Sequence, residues 1–225
     1  MQFEIKNRPD FASLHVLLDS GDQVVTEAGA MMAMSPDVTI ETNMQGGVFG
    51  AAKRVFAGES IFLNTYTGTG PAQRLDLAPS SPGDMVHIPL SGGAVKVQSG
   101  SFCAATTGID VDTKWGGAKT FFGGEGLTML HCSGNGDLWV SSYGAIHEVQ
   151  VSGTYTVDTG HIVAFDDSLS FNVRRVGGLK STFLSGEGLV CEFSGTGTLW
   201  FQTRSAPALA SFLHPFRRVK PKTNN

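Results

Sequence analysis

Glu59, Glu125 and Glu187 each follow a lysine, Lys53, Lys119 and Lys180, and these six are the charged residues that recur in three stretches of the chain. Carboxylate and ammonium groups at repeated spacing could ring a central opening with ligands or alternating charges, or they could hold building blocks together. The local context favours the second. Each pair belongs to a Lys-x-x-Phe segment followed by Gly-Glu and then by a glycine pair, Gly68 and Gly70, Gly134 and Gly136, or Gly195 and Gly197. The glutamate is thus placed to cap a glycine turn and to pair with lysine across a boundary between repeats. Such an exposed pair contributes about 0.2–1 kcal/mol, and repeat interfaces, unlike catalytic sites, need identical groups in every copy.

Other reactive side chains are dispersed. His15, His87, His131, His147, His161 and His214 include no His-x-His pair, whereas a metal site on inward-facing strands needs clustered histidines and a carboxylate. His147 and Glu148 are adjacent, so on a strand they face opposite sides. Gly-x-Ser-x-Gly is absent, and Cys103, Cys132 and Cys191 lack a neighbouring base. Gly123-Gly124-Glu125-Gly126 and Gly134-Asn135-Gly136 do not match a phosphate loop and read as hairpin turns. The chain is expected to be non-enzymatic, with no catalytic residue, metal or cofactor. Trp139 and Trp200 follow Gly-x-Gly-x-Leu, with Gln73 at the matching place in the first copy. With Phe62 and Tyr66 they could stack bases, but no Lys/Arg stripe interleaves with them, so packing is the better reading. Met31, Met32 and Met34 read as core filling.

The elements that must position these residues follow from the repeat. Ser20-Gly21, Ser91-Gly92 and Ser152-Gly153 open three units. Gly29, Gly100 and Gly160 come next, with Ala33, Ala104 and Ala164 four residues on. Alternating runs then follow: Val38-Thr39-Ile40-Glu41, Ile109-Asp110-Val111-Asp112 and Leu169-Ser170-Phe171-Asn172. Each run predicts a half-buried strand, and a constant order of signals marks a repeat architecture. The organisation is residues 1–90 for the first unit with an N-terminal strand, 91–151 and 152–205 for the next two, and 206–225 for a C-terminal helix and basic tail. Strands are expected near 22–26, 30–34, 38–42, 60–66 and 84–90, with the first unit's extra length in the 78–82 loop. Leu209, Phe212, Leu213 and Phe216 lie three and four apart, which predicts a short helix docked on a sheet and ended by Pro215.

Composition agrees. Glycine is 29 of 225 residues, suiting many tight turns, and the net charge of −4 carries no nucleic-acid signature. Arg217, Arg218, Lys220 and Lys222 form a basic tail that reads as a solvated terminus. Three widely spaced cysteines suit a reducing compartment, and neither a signal-like start nor a run of about 18 apolar residues is present. The expectation is a cytoplasmic protein with no membrane span. A unit of about 60 residues is too small to bury a comfortable core alone. The outer faces of the first and third units must therefore meet each other or another subunit.

Several segments together resemble one family: Phe3-Glu4-Ile5-Lys6, the run from Glu27 to Met34, Gly46-Gly47, Lys53-Arg54, Gly58-Glu59-Ser60-Ile61-Phe62, Pro82-Gly83-Asp84 and Leu213-His214-Pro215-Phe216. The family is the widespread, largely uncharacterised bacterial and archaeal group related to the yeast altered-inheritance-of-mitochondria protein. It is placed beside the tryptophan RNA-binding attenuation protein, TRAP. The resemblance implies an all-β fold of three tandem TRAP-like repeats, each a short double-stranded β-helix or β-sandwich, with a short C-terminal helix. It also implies a homotrimer completing a nine-domain ring, with a scaffold or interaction role of unknown biochemistry. RNA binding by analogy with TRAP is the alternative.

Overall fold

Short runs of Val, Ile, Leu and Thr broken by glycine favour extended backbone over helix. The computed structural model describes residues 1–43, 63–112, 128–175 and 189–217, and they are mostly strand. The first group is β1 (Gln2–Lys6), β2 (Ser13–Leu18), β3 (Gln23–Glu27), β4 (Met31–Met34), β5 (Val38–Asn43), β6 (Leu63–Gly68) and β7 (Gln73–Leu77). The second is β8 (Met85–Gln98), β9 (Phe102–Thr106), β10 (Ile109–Asp112) and β11 (Met129–Ser141), and the third is β12 (Ile146–Asp158), β13 (Ile162–Asp166), β14 (Ser170–Arg175) and β15 (Leu189–Gln202). Among the described residues one α-helix, α1 (Ala206–Leu213), follows.

One pairing scheme occurs in all three groups. A long antiparallel pairing joins β8 to β11, from Met85 opposite Ser141 to Gln98 opposite Met129. Another joins β12 to β15, from Ile146 opposite Gln202 to Asp158 opposite Val190. In the first group the long pairing is broken into two pairs, β3 with β6 and β2 with β7. β5, β10 and β14 flank the first half of the returning strand, while β4, β9 and β13 flank the second half.

Two joints link the groups by backbone pairing. Val24, Val25 and Thr26 of β3 lie opposite Thr106, Ala105 and Ala104 of β9. Val95, Lys96 and Val97 of β8 lie opposite Asp166, Phe165 and Ala164 of β13. The result is an eleven-stranded sheet and a four-stranded sheet of order β1-β2-β7-β4. β1 ties the first group to the second: Phe3 packs on His87 and Trp139 with ring centroids 4.7 and 5.0 Å apart.

Three expectations are corrected. Gly134-Asn135-Gly136 makes no hairpin turn but lies inside β11, at a bulge. A Cβ on Gly134 would come within 2.2 Å of the Gly108 carbonyl oxygen, at a φ of +129°, so glycine here serves close backbone approach. Helix α1 forms where predicted, with Pro215 in the 3-10 turn that follows, but none of its residues is buried. It is not docked: the chain leaves β15 through Thr203 and Arg204 bonded to Ala145 and Tyr143, and Phe212 and Phe216 remain 66% and 73% exposed. Met31, Met32 and Met34 do not fill a core either, because β4 ends its sheet; they are 39%, 54% and 39% exposed.

Candidate functional site

The six repeated charges, Lys53, Lys119, Lys180, Glu59, Glu125 and Glu187, lie outside the described residues. Phe62 and the tail residues Arg218, Lys220 and Lys222 do too. Within the described residues, the joint between the second and third groups has polar content of its own. Lys96 is buried and bonded to the Asp167 carboxylate, from which His131 Nε2 stands 3.6 Å away. The ammonium also sits over the Phe165 ring, 5.4 Å from its centroid. A buried lysine held in this way is a positioning element of the joint.

The three groups differ at one cross-strand position. Trp139 stands opposite His87 in the second group and Trp200 opposite Glu148 in the third. In the first group that place belongs to Asp76, opposite His15. Gln73 is therefore not the counterpart of the tryptophans. Leu75, Leu138 and Leu199 align opposite Met34, Ala105 and Phe165, and the break between β6 and β7 displaces the spacing read from the Gly-x-Gly motif. Trp200 Nε1 donates to Glu148 at 3.0 Å, and His87 Nε2 pairs with Asp137 at 2.7 Å. Both tryptophans are buried, as packing residues are.

Around Asp76 a longer polar chain forms. Arg74 Nε donates to both Asp76 oxygens at 2.8 and 2.7 Å. The other side of the carboxylate meets His15 Nδ1 at 2.7 Å, and His15 Nε2 meets Ser13 Oγ at 2.9 Å. Asn7 Nδ2 reaches Ser13 Oγ at 3.5 Å. Burial pushes the Asp76 carboxyl up, but Arg74 and His15 together hold it below the usual carboxylate range. Asp76 is thus an ionised acceptor. This fixes one proton of the histidine: Nδ1 donates to Asp76, while Nε2 contacts the Ser13 hydroxyl. Arg74 Nη2, 3.3 Å from the same Nδ1, then makes no hydrogen bond to it.

Alternation dictates which side chains meet here. On β2, Leu14, Val16 and Leu18 point into the core while Ser13, His15 and Leu17 share the other face. β7 sends Leu75 and Leu77 inward and Arg74 and Asp76 outward by the same rule, although Asp76 ends up buried beneath its partners. A groove of about 500 Å³ opens beside this face, lined by Glu4, Lys6, His15, Leu17 and Arg74 among others. Sequence reasoning missed the cluster. The alternating Ser13-Leu14-His15-Val16 was a usable signal, but Asp76 is 61 residues away and reaches His15 only through the β2–β7 register.

A second arrangement concerns edges. β3 and β8 each receive a strand from the following group, and β9 and β13 are the strands supplied. Among the described residues, the corresponding half of β12, Thr154–Asp158, pairs only with β15, and β4, the counterpart of β9 and β13, pairs only with β7. Each edge therefore presents unpaired backbone groups. Tyr155 on one edge and the methionines on the other are exposed.

Cys103, Cys132 and Cys191 are free and buried, and burial pushes their thiols up, to about 12 for Cys132 and Cys191. Such thiols are poor nucleophiles. Among the described residues no group of three or more His, Cys, Asp or Glu side chains is arranged to hold a metal ion, and no helix is long and apolar enough to cross a membrane.

Antiparallel pairing, open sheet edges and a buried polar cluster define a mostly β protein built on open sheets. Residues 3–204 match the family model described as mitochondrial biogenesis AIM24, and the chain belongs to that family. It is 28% identical over 235 residues to an uncharacterised protein of Streptococcus pyogenes serotype M6, with 100% of this chain and 93% of the relative covered. The crystal structure of a Streptococcus pyogenes protein is similar as well, at a TM-score of 0.80 and 25% identity, over 96% of this chain and 99% of that one.

Proposed function

We propose that this protein is a non-enzymatic, ring-forming homo-oligomer of the cytoplasm, with three TRAP-like units per chain and three chains per ring, acting as a scaffold or interaction protein. The observation that carries the reading is that the two joints inside the chain imply a third between chains. Passing from the first joint to the second shifts the β3–β8 residues by 71 and the β9–β13 residues by 60, so Thr26–Ala104 becomes Val97–Ala164. Between the second and third groups the shift is 60, and from the third group back to the first it is 131, the sum of the two; applied to the second joint, these place Val157 of one chain opposite Ala33 of the next, Thr156 opposite Met34, and Tyr155 opposite Ser35. Such a head-to-tail contact joins two different surfaces, and it must close into a ring to leave no free edge.

Light scattering on the purified protein should give three times the chain mass of 23.8 kDa. Met34→Asp, which sets a charge in the contact, should lower it to that of one chain. A monodisperse wild-type monomer is the result against the reading. RNA binding by analogy with TRAP is the alternative. Retention of mixed single-stranded RNA that weakens steeply with salt would move the assignment there.

A further inference from the structure

We infer that α1 and the basic residues that follow it bind the surface of an anionic lipid membrane, with the helix lying in the interface and the cations against the headgroup phosphates. The inference goes beyond the scaffold reading and does not depend on it. It gives the basic tail, read from the sequence as a solvated terminus, a surface to meet.

The apolar half of the argument is the helix. Residues 205–216 carry no Asp, Glu, Lys or Arg. Spacings of three and four put Leu209, Phe212, Leu213 and Phe216 on one side, with Pro207 and Ser211 on the other. All four of these large side chains are exposed, and the Phe212 and Phe216 rings stand together with centroids 5.7 Å apart. An exposed apolar cluster of this kind marks a surface that something covers.

Charge says what covers it. The 20 acidic residues are spread from Glu4 to Glu192, and none follows. Arg217, Arg218, Lys220 and Lys222 come directly after the helix and its 3-10 turn, so a chain of net charge −4 is basic at this end. A groove on another protein would use the apolar side alone, and a nucleic acid would use the cations and leave Leu209 and Leu213 uncovered. An anionic bilayer accepts both, acyl chains beneath the phenylalanines and phosphates beside the arginines and lysines. Each Lys or Arg held near such a surface strengthens binding about fivefold. Neither part suffices alone, since firm attachment takes an apolar element and a basic patch together. No helix of the described residues is long enough to cross a bilayer, and an interfacial one has no need to be.

The place where α1 leaves the body suits this use. Thr203 N donates to Ala145 O, Gly83 bridges Gly144, and Ala12 N donates to Gly83 O, so the strand-end loops of all three groups line up there. The helix starts beside them with none of its residues buried. In the ring proposed above, rotation about one axis puts three such helices on the same face, and three weak attachments to one plane hold far more tightly than one.

The test is co-sedimentation of the full-length protein with phosphatidylcholine vesicles, with and without phosphatidylglycerol. Binding should be at least about tenfold stronger to the anionic vesicles and should weaken as salt is raised. Phe212→Ser combined with Phe216→Ser should lower it at least about tenfold, and so should replacement of Arg217, Arg218, Lys220 and Lys222 by Gln, with circular dichroism and light-scattering mass unchanged in both. Absence of wild-type binding, equal binding to neutral vesicles, or undiminished binding of the phenylalanine variant overturns the proposal. A lower mass of the phenylalanine variant without vesicles also overturns it, because the helix then packs on another copy of the chain. Tighter capture of mixed single-stranded RNA than of anionic vesicles, lost in the same two variants, assigns the segment to nucleic acid instead.

Discussion

Glu27 shows how a single carboxyl can set a pH response in this fold. It closes β3, where burial outweighs a hydrogen bond from the Ser80 backbone and pushes its pKa from the ordinary 4.5 up to about 7. Between those two values the unfolded chain releases its proton while the folded one keeps it. The folded state then binds more protons, so stability falls as pH rises through the window and stays lowered above it. Glu27→Gln keeps an acceptor for Ser80 and removes the ionisation. The variant should be more stable than wild type at about pH 8 by about 1–2 kcal/mol, allowing for the partial exposure of the group, and similar to it near pH 4.5. Thermal melts at both pH values measure this, and equal wild-type and variant melting temperatures at pH 8 would remove Glu27 as the cause. The residue scale was the least legible in the sequence. Glu27 carried no sign of its burial, and the Ser13–His15–Asp76 cluster needed a strand register that periodicity cannot supply. The tryptophan pair was visible, but its first-group counterpart was misplaced because the break between Gly68 and Gln73 altered the spacing.

At the scale of elements, alternation did specify strands. The predicted runs at 38–41, 109–112 and 169–172 correspond to β5, β10 and the start of β14. What alternation could not reveal is that β8, β11, β12 and β15 run 13 or 14 residues each, because the glycines at their centres look like turn residues. Gly134 is a spacing device, with the Gly108 carbonyl lying where its Cβ would be. Gly134→Ala should therefore destabilise the protein by about 3 kcal/mol, from overpacking against backbone together with an unfavourable φ. Gly93, opposite Gly134 in the β8–β11 pair, has open space around its Cβ position and no left-handed φ. Gly93→Ala should stay within about 0.5 kcal/mol of wild type. Chemical denaturation of the two variants distinguishes close approach from a general cost of replacing glycine, since the latter would shift both midpoints alike.

The whole molecule poses the question of what its last edges meet, and register turns that into a covalent test. In the joint between the second and third groups, Lys96 and Phe165 are directly opposite and touch through ammonium and ring. Their counterparts in the proposed contact between chains are Thr156 and Met34, both exposed in one chain. Opposed residues of an antiparallel pair have Cα atoms about 4.5–5.5 Å apart, within the span a disulfide accepts. Thr156→Cys combined with Met34→Cys should therefore cross-link under mild oxidation, and the native cysteines should not interfere because burial keeps their thiols protonated. A closed ring of three predicts that non-reducing, denaturing electrophoresis ends at a covalent trimer, whereas an open filament would give a ladder that continues past it. Moving one cysteine out of register, in Thr154→Cys with Met34→Cys, should sharply reduce the product. If both pairs cross-link equally, chance collision explains the bond and the derived register is wrong. If neither does while the mass in solution is still that of three chains, the ring is closed by other surfaces, with the exposed apolar face of α1 the next to examine.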